Sequence, residues 1–324
     1  MKPFSLVPVF KDYLWGGTKL KTRFNKRTGI SPLAESWELA AHPDGDCRIA
    51  NGPFAGAALS EFLRKFPESL GTGRASGGEL PVLIKLIDAR EPLSVQVHPD
   101  DEYAKRTEGC AGKTEMWYVL DREPGAFLYC GFEREVTRQE LTRRIADGTV
   151  TEVLHEASVE PGDVFFMEAG TVHAIGAGIV IAEIQQNSNT TYRVFDYGRR
   201  GPDGKERPLH VAKALDVARR APACSVPPGG RPPVFLPGST LRRLARCAYF
   251  SVDLLELSEH CEYRTDETSF LSLLCIDGSA RLAEEEWRLD IANGDSVFVP
   301  AREGTLFLEG RGSFLLTTVP EEEH

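Results

Sequence analysis

The apolar positions of this 324-residue chain fall mostly in short runs with a two-residue period, and helical periodicity is confined to a few pieces. In LSVQVHPDD (93–101), Leu93, Val95 and Val97 alternate with Ser94, Gln96 and His98 before Pro99 stops the run. Successive side chains of a strand point to opposite faces, so this spacing predicts one face that packs and one polar face. An amide and an imidazole sharing a face must look at water, a metal or a ligand. Similar runs are LPVLIKLID (80–88), EMWYVLD (115–121), AFLYCGF (126–132), DVFFMEA (163–169) and IVIAEIQQ (179–186). Short strands punctuated by Gly, Pro, Asp and Asn predict a fold dominated by β structure, as sandwiches or barrels.

Three helices are expected. One covers 59–66 with Ser60 as its N-cap; a second covers 137–148, opening on the Thr137/Glu140 capping box and ending at Gly148; a third covers 210–220. Asp100 reads as a cap after Pro99. The Pro- and Gly-dense stretch 221–238 reads as a linker, after which the β pattern resumes. Two domains are therefore expected, 1–225 and 226–324. PGDVFFMEAGTVHAI (161–175) aligns with NGDSVFVPAREGTLFL (293–308) at Gly-Asp, which places His173 opposite Thr305. A catalytic first unit and a second unit without a metal site would produce that difference.

A hydrophobic content of 41% supports a sizeable core, and a net charge of -10 argues against a nucleic-acid partner. An anionic small molecule would need a local cationic pocket. The seven cysteines form no CxxC, and the N-terminal MKPFSLVPVF has no signal-peptide core. Reduced thiols and a cytoplasmic location are expected. No apolar run reaches membrane-spanning length, so no membrane partner is expected.

Gln96 and His98 on one strand, Glu115 opening the next and His173 after a Gly turn make a mixed N/O donor set that a β-barrel brings to one interior point. Zinc suits such ligands, and Fe(II), Mn(II) and Co(II) are not excluded. His42, His155, His210 and His260 lack such context. Alternation places Glu183 with Gln185 on one face; it is a candidate base if its surroundings raise its pKa, or an inert acceptor.

Gly162, Glu168, Gly170 and His173 resemble the second motif of the cupins, with Glu168 where that family usually has Pro. The cupins' first motif reads HxH followed closely by Glu, whereas this chain has QxH with Glu115 further on. That departure resembles the type I mannose-6-phosphate isomerases. They are similar in LSVQVHPDDEYA, in GKTEMWYVL (112–120), in GTVHAIGAGIVIAEIQQNSNTTYRVFDYGR (170–199), in LWGG (14–17) and in ESWELAAHPDG (35–45). The length resembles the shorter bacterial form, and the resemblance is weakest after the linker.

The resemblance implies two cupin-like jelly-roll units and an aldose-ketose isomerase acting on a small phosphorylated sugar. The reaction would interconvert D-mannose 6-phosphate and D-fructose 6-phosphate through a cis-enediol. It implies one Zn2+ per chain on Gln96, His98, Glu115 and His173. It also makes Arg193 the active-site arginine and Lys113 a pocket lysine, which contacts substrate or rivals Glu183 as base. Ser94, on the ligand face, is a further substrate contact, and Lys85 a weaker cationic candidate. Trp15, Trp37 and Tyr192 are candidates to line the pocket, with Trp37 also readable as a core anchor. Alternative readings are another cupin metalloenzyme, such as an iron dioxygenase, or a sugar-phosphate-binding regulatory protein without turnover. A monomer is the default expectation.

Overall fold

Alternating runs become antiparallel strands throughout. The computed structural model describes residues 1–73, 78–201, 204–222, 227–284 and 287–321. In the first half two sheets face each other. The five-stranded sheet has the order Leu154–Ser158, Phe127–Phe132, His173–Ile175, Val95–Val97, Tyr192–Phe195. The six-stranded sheet has the order Val164–Met167, Glu115–Arg122, Ile179–Gln186, Val82–Ala89, Glu35–Leu39, Val9–Lys11. The sheets form an open sandwich rather than a closed barrel.

Burial explains why IVIAEIQQ reads as almost continuously apolar. Ile179 and Ile181 point into the sandwich, where they pack with Trp117, Val119 and Leu128. Val180, Ala182 and Ile184 point outward and join Met116, Tyr118, Phe166, Leu244, Phe250 and Leu315, a core shared with the second half. Strands covered on both faces lose the polar half of their alternation. Val95 and Val97 are fully buried on the reverse of the five-stranded sheet, against Leu141, Ile145, Ala214 and Leu215 of two helices. Each such side chain contributes about 1.5–3 kcal/mol by leaving water.

The helix Arg138–Asp147 is capped as expected. Thr137 accepts from the Glu140 amide, and Gly148 closes the helix in the left-handed region at φ 70°. The Glu140 carboxylate instead binds Arg134 and Arg144, so the capping box is half made. The helix Leu59–Lys65 starts one residue before Ser60: Ala58 is its N-cap, and the Ser60 hydroxyl donates to Asp46 Oδ2 at 2.5 Å. That carboxylate, 14 residues away, outcompetes the local backbone. The third helix is Val211–Val217. Asp100 caps an additional helix, Asp101–Thr107, accepting from the Tyr103 amide.

In the second half a ten-stranded sheet contains Ser239–Arg246, Ser251–Leu257, Gly304–Thr318, Leu271–Glu284 and Ser296–Val299 as neighbours in that order. GTLFLEG and GSFLLTT form one continuous strand, Gly304–Thr318. Val234–Leu236, inside the expected linker, forms the edge strand; residues 223–226 of that linker lie outside the described residues. The N-terminal strand Phe4–Val7 pairs with Ser296–Val299, Phe4 opposite Phe298, so it lies in the second half's sheet. No described helix is long and apolar enough to cross a membrane.

The sequence repeat has a matching geometry. Asp163 Oδ2 accepts from the Glu160 amide at 2.8 Å, and Asp295 Oδ2 from the Ala292 amide at 2.9 Å. Gly162 and Gly294 sit at φ 96° and 90°, a region that glycine enters without steric cost. After each turn the strand pairs alike: Met167 opposite Glu115, Val299 opposite Leu271. Leu271 therefore stands where Glu115 stands.

Candidate metal centre and active site

Two rows of side chains face each other across the first sandwich. On the five-stranded sheet Cys130, His173, Gln96 and Arg193 are in register. On the six-stranded sheet the row is Trp117, Glu183, Lys85 and Trp37. Glu115 opens its strand two residues before Trp117, on the same face.

Backbone contacts lock the loops that carry the site. The Gly170 amide donates to the His98 carbonyl at 2.8 Å, and the Lys113 amide to the Pro99 carbonyl at 3.0 Å. A side chain at Gly170, which has φ 90°, would meet the Val217 carbonyl. These contacts bring the His98, Lys113 and His173 segments to one point.

His98, Glu115 and His173 are buried, with ligand atoms all within 4.8 Å of one another. His98 Nδ1 lies 2.9 Å from the Thr190 carbonyl and His173 Nδ1 2.8 Å from the Thr171 carbonyl. Carbonyls only accept, so both Nδ1 atoms carry hydrogen and both Nε2 atoms present lone pairs. Those Nε2 atoms face Glu115, at 3.6 Å for His98 and 3.3 Å for His173. The Gln96 amide lies 3.5 Å from His173 Nε2, and a half-turn of the amide brings its oxygen to the same place.

Neither oxygen of Glu115 receives a hydrogen bond of sound geometry, although Lys113 Nζ is 2.9 Å from one of them. Burial pushes Glu115 up to about 7; the nearby Glu183 carboxylate adds to this, and Lys113 opposes it. Burial holds His98 well below its ordinary value, with Lys113 adding, and takes His173 down to about 4. The set therefore consists of two neutral imidazoles and a buried carboxylate whose cationic neighbour is Lys113. Ligands about 2.1 Å from a tetrahedral ion lie about 3.4 Å apart, which matches the two His–Glu separations. The residues fit a divalent cation.

A charged chain runs on from this cluster. Lys113 Nζ is 3.4 Å from His98 Nε2 and 3.9 Å from Glu183 Oε1. Lys85 Nζ is 3.2 Å from Glu183 and 3.8 Å from Glu35. Trp117 Nε1 donates to Glu183 at 3.1 Å, and Trp37 Nε1 to Glu35 at 2.6 Å. Of the two alternatives for Glu183, the surroundings do not supply the raised pKa. Burial raises it, but Lys113 and Lys85 outweigh burial and leave it below the ordinary carboxylate value. Burial likewise opposes the charge on Lys85, yet Glu35, Glu183 and Glu115 together raise its pKa.

Arg193 sits on a strand beside Gln96. Its Nη1 donates to the Pro208 carbonyl at 2.9 Å, its Nε is buried without an acceptor, and among the described residues it has no ion pair. Nearby, Asp196 binds Arg199 and Arg207, two cations that sequence reading passed over. Ser94 is buried immediately before its strand. Trp15 and Trp37 are core residues. Tyr192 faces away from the interior: it packs with the helices, and its hydroxyl donates to Glu108 at 2.7 Å. Alternation with Arg193 requires that.

Comparison with known proteins places this geometry. Residues 4–126 match the family described as phosphomannose isomerase type I, catalytic domain, and residues 240–319 match the mannose-6-phosphate isomerase cupin domain. The chain is 37% identical to the probable mannose-6-phosphate isomerase GmuF of Bacillus subtilis, covering 97% of this chain and 98% of that protein. It is 38% identical to mannose-6-phosphate isomerase ManA of the same organism, covering 95% and 96%. The crystal structure of the mannose 6-phosphate isomerase from Bacillus subtilis superposes with a TM-score of 0.92 at 34% identity, over 98% of this chain and 99% of that one. A putative mannosephosphate isomerase from Archaeoglobus fulgidus, at 22% identity and a TM-score of 0.77 over 99% and 98%, shares the fold. The chain belongs to the type I phosphomannose isomerase family.

Proposed function

We propose that this protein interconverts D-mannose 6-phosphate and D-fructose 6-phosphate, using one zinc ion held by Gln96, His98, Glu115 and His173. The observation that carries this reading is the buried Glu115 carboxylate, faced by two imidazole lone pairs at 3.3 and 3.6 Å, with the Lys113 ammonium as its one cationic partner among the described residues, at 2.9 Å. When bound, the ion supplies Lewis-acid stabilisation of the negative charge that develops on the sugar oxygens.

The chain's own residues manage the proton. Lys113 removes the C2 proton of the open-chain aldose, with the Glu183 carboxylate 3.9 Å away as its partner. The C–H electrons form the C1–C2 double bond, and the carbonyl electrons move onto O1. The proton then returns to C1, the O2 proton passes to O1, and O2 becomes the carbonyl of the ketose. Lys85 and Trp117 hold Glu183 in place, and the Lys85 charge helps keep it ionised between turnovers. Arg193, with a buried nitrogen lacking an acceptor, binds the enediolate or the phosphate through its planar fork. Ser94 and Lys113 contact the sugar. Binding energy from the remote phosphate orients the reacting carbons.

This chemistry is assigned to residues 1–225. Residues 226–324 support it without a metal site, since Leu271 and Thr305 stand at the places of Glu115 and His173. A coupled assay following fructose 6-phosphate from mannose 6-phosphate tests the reading, with a parallel reaction in D2O. Turnover with solvent deuterium entering C1 or C2 supports it. Binding of mannose 6-phosphate without conversion would leave a sugar-phosphate-binding protein instead.

A further inference from the structure

The second half carries its own cleft at the place that corresponds to the site of the first. Leu316 pairs with Leu273 and Asp253 as Glu183 pairs with Trp117 and Lys85. Asp253 thus stands at the position of Lys85, and its partner Arg243 at that of Trp37. The cleft holds about 290 Å³ and is lined by Arg243, Arg246, Arg264, Ser251, Leu271 and Thr318, among others. Among the described residues, His98, Glu115 and His173 are the one group of His, Cys, Asp and Glu placed to hold a metal, so this second cleft is not a metal site.

Its donors are poorly satisfied. Arg243 Nε donates to Asp253 Oδ1 at 2.5 Å, yet its Nη1 is buried with no acceptor. Ser251 is 4% exposed and its hydroxyl also has no partner. Buried donors without acceptors cost stability unless something in the cleft accepts from them. Arg246 and Arg264 are exposed and pair with no carboxylate among the described residues. Two carboxylates also line the cleft: Asp266 accepts from the Thr268 amide and hydroxyl of its own turn, and Glu321 is the other.

We propose that this cleft is a second, non-catalytic site for a small phosphate monoester or free phosphate, held by Arg243, Arg246, Arg264 and the Ser251 hydroxyl. Guanidinium groups beside hydroxyl donors suit a compact dianion with several acceptor oxygens. A neutral sugar would leave the charges of Arg246 and Arg264 unmatched, since Arg243 already pairs with Asp253. The inference stands apart from the isomerase assignment.

The test is phosphate binding to the full-length, metal-loaded protein by isothermal titration, with inorganic phosphate as probe. The variant Arg246→Gln/Arg264→Gln changes exposed side chains outside the reaction site, and its unfolding midpoint checks that it is folded. The expected result is one phosphate site per chain lost or weakened roughly tenfold or more in that variant, with kcat unchanged. The Arg193→Gln variant keeps the site. Repeating the titration with mannose 6-phosphate tells a sugar phosphate from free phosphate. Parent protein that binds no phosphate, a double variant that binds like the parent, or Arg193→Gln abolishing all binding would overturn the proposal.

Discussion

Replacing Lys85 with Met isolates the electrostatics of the site from its chemistry. The Lys85 ammonium lies 3.2 Å from Glu183 and 3.8 Å from Glu35, and the three side chains are 4, 4 and 9% exposed. Met keeps the length and the packing but leaves two carboxylates with too little positive charge nearby. Removing one partner of a buried ion pair costs about 3–5 kcal/mol, far more than the loss of a surface pair. Lys113, at 3.9 Å from Glu183, remains, so the lower end of that range is expected. The assay is urea unfolding at fixed zinc concentration.

The pH dependence of the Lys85→Met defect has a definite sign. In the parent, Glu183 is held below the ordinary carboxylate value. Its ionised form is stabilising above the unfolded pKa, and that contribution is lost as pH falls through the folded value. Without Lys85, burial is less opposed and the folded variant takes up a proton more readily. The gap between parent and variant should therefore narrow from pH 8 to pH 5. Adding Glu183→Gln should recover part of the loss. A defect below about 1 kcal/mol, set against the 3–5 expected, or one equal at both pH values, would refute the buried network.

Trp117→Phe removes the indole donor to Glu183, found at 3.1 Å. A hydrogen bond to a charged group is worth about 1.5–3 kcal/mol, so denaturation should show a loss of that order together with a fall in kcat. Thr137→Ala removes the cap of the helix Arg138–Asp147 and should cost about 1 kcal/mol of stability in urea with turnover unaffected. Thr305→Ala, in the second half, should retain parental kcat and zinc content. Arg193→Lys should reduce kcat/KM substantially, because a point charge replaces a planar fork; steady-state kinetics read this directly.

Much of the candidate metal centre is legible locally. Gln96 and His98 share a face because Val95 and Val97 need the other one, and the alternation in LSVQVHPDD carries that information. The inward direction of Glu183 follows in the same way. Its ionisation does not, because the two lysines that set it come from a neighbouring strand and a distant loop. Register between strands far apart in sequence is a tertiary outcome. The same reason hides Glu35, Arg199 and Arg207. Tyr192 is a pocket-lining candidate by residue type alone, whereas alternation with Arg193 points it at the helices. Ser60 has the chemistry of a cap, but the Asp46 carboxylate takes its hydroxyl.

The central claim is that a single divalent ion, gripped by Gln96, His98, Glu115 and His173, is needed for turnover. Elemental analysis and the coupled isomerase assay on the same preparations test it most directly, across the parent, His98→Ala, His173→Ala and a chelator-stripped sample. Zinc near one equivalent in the parent is expected, lost together with activity in both variants, with activity restored to the stripped parent by added zinc. Full turnover in metal-free parent protein, or undiminished metal and activity in both histidine variants, would contradict it.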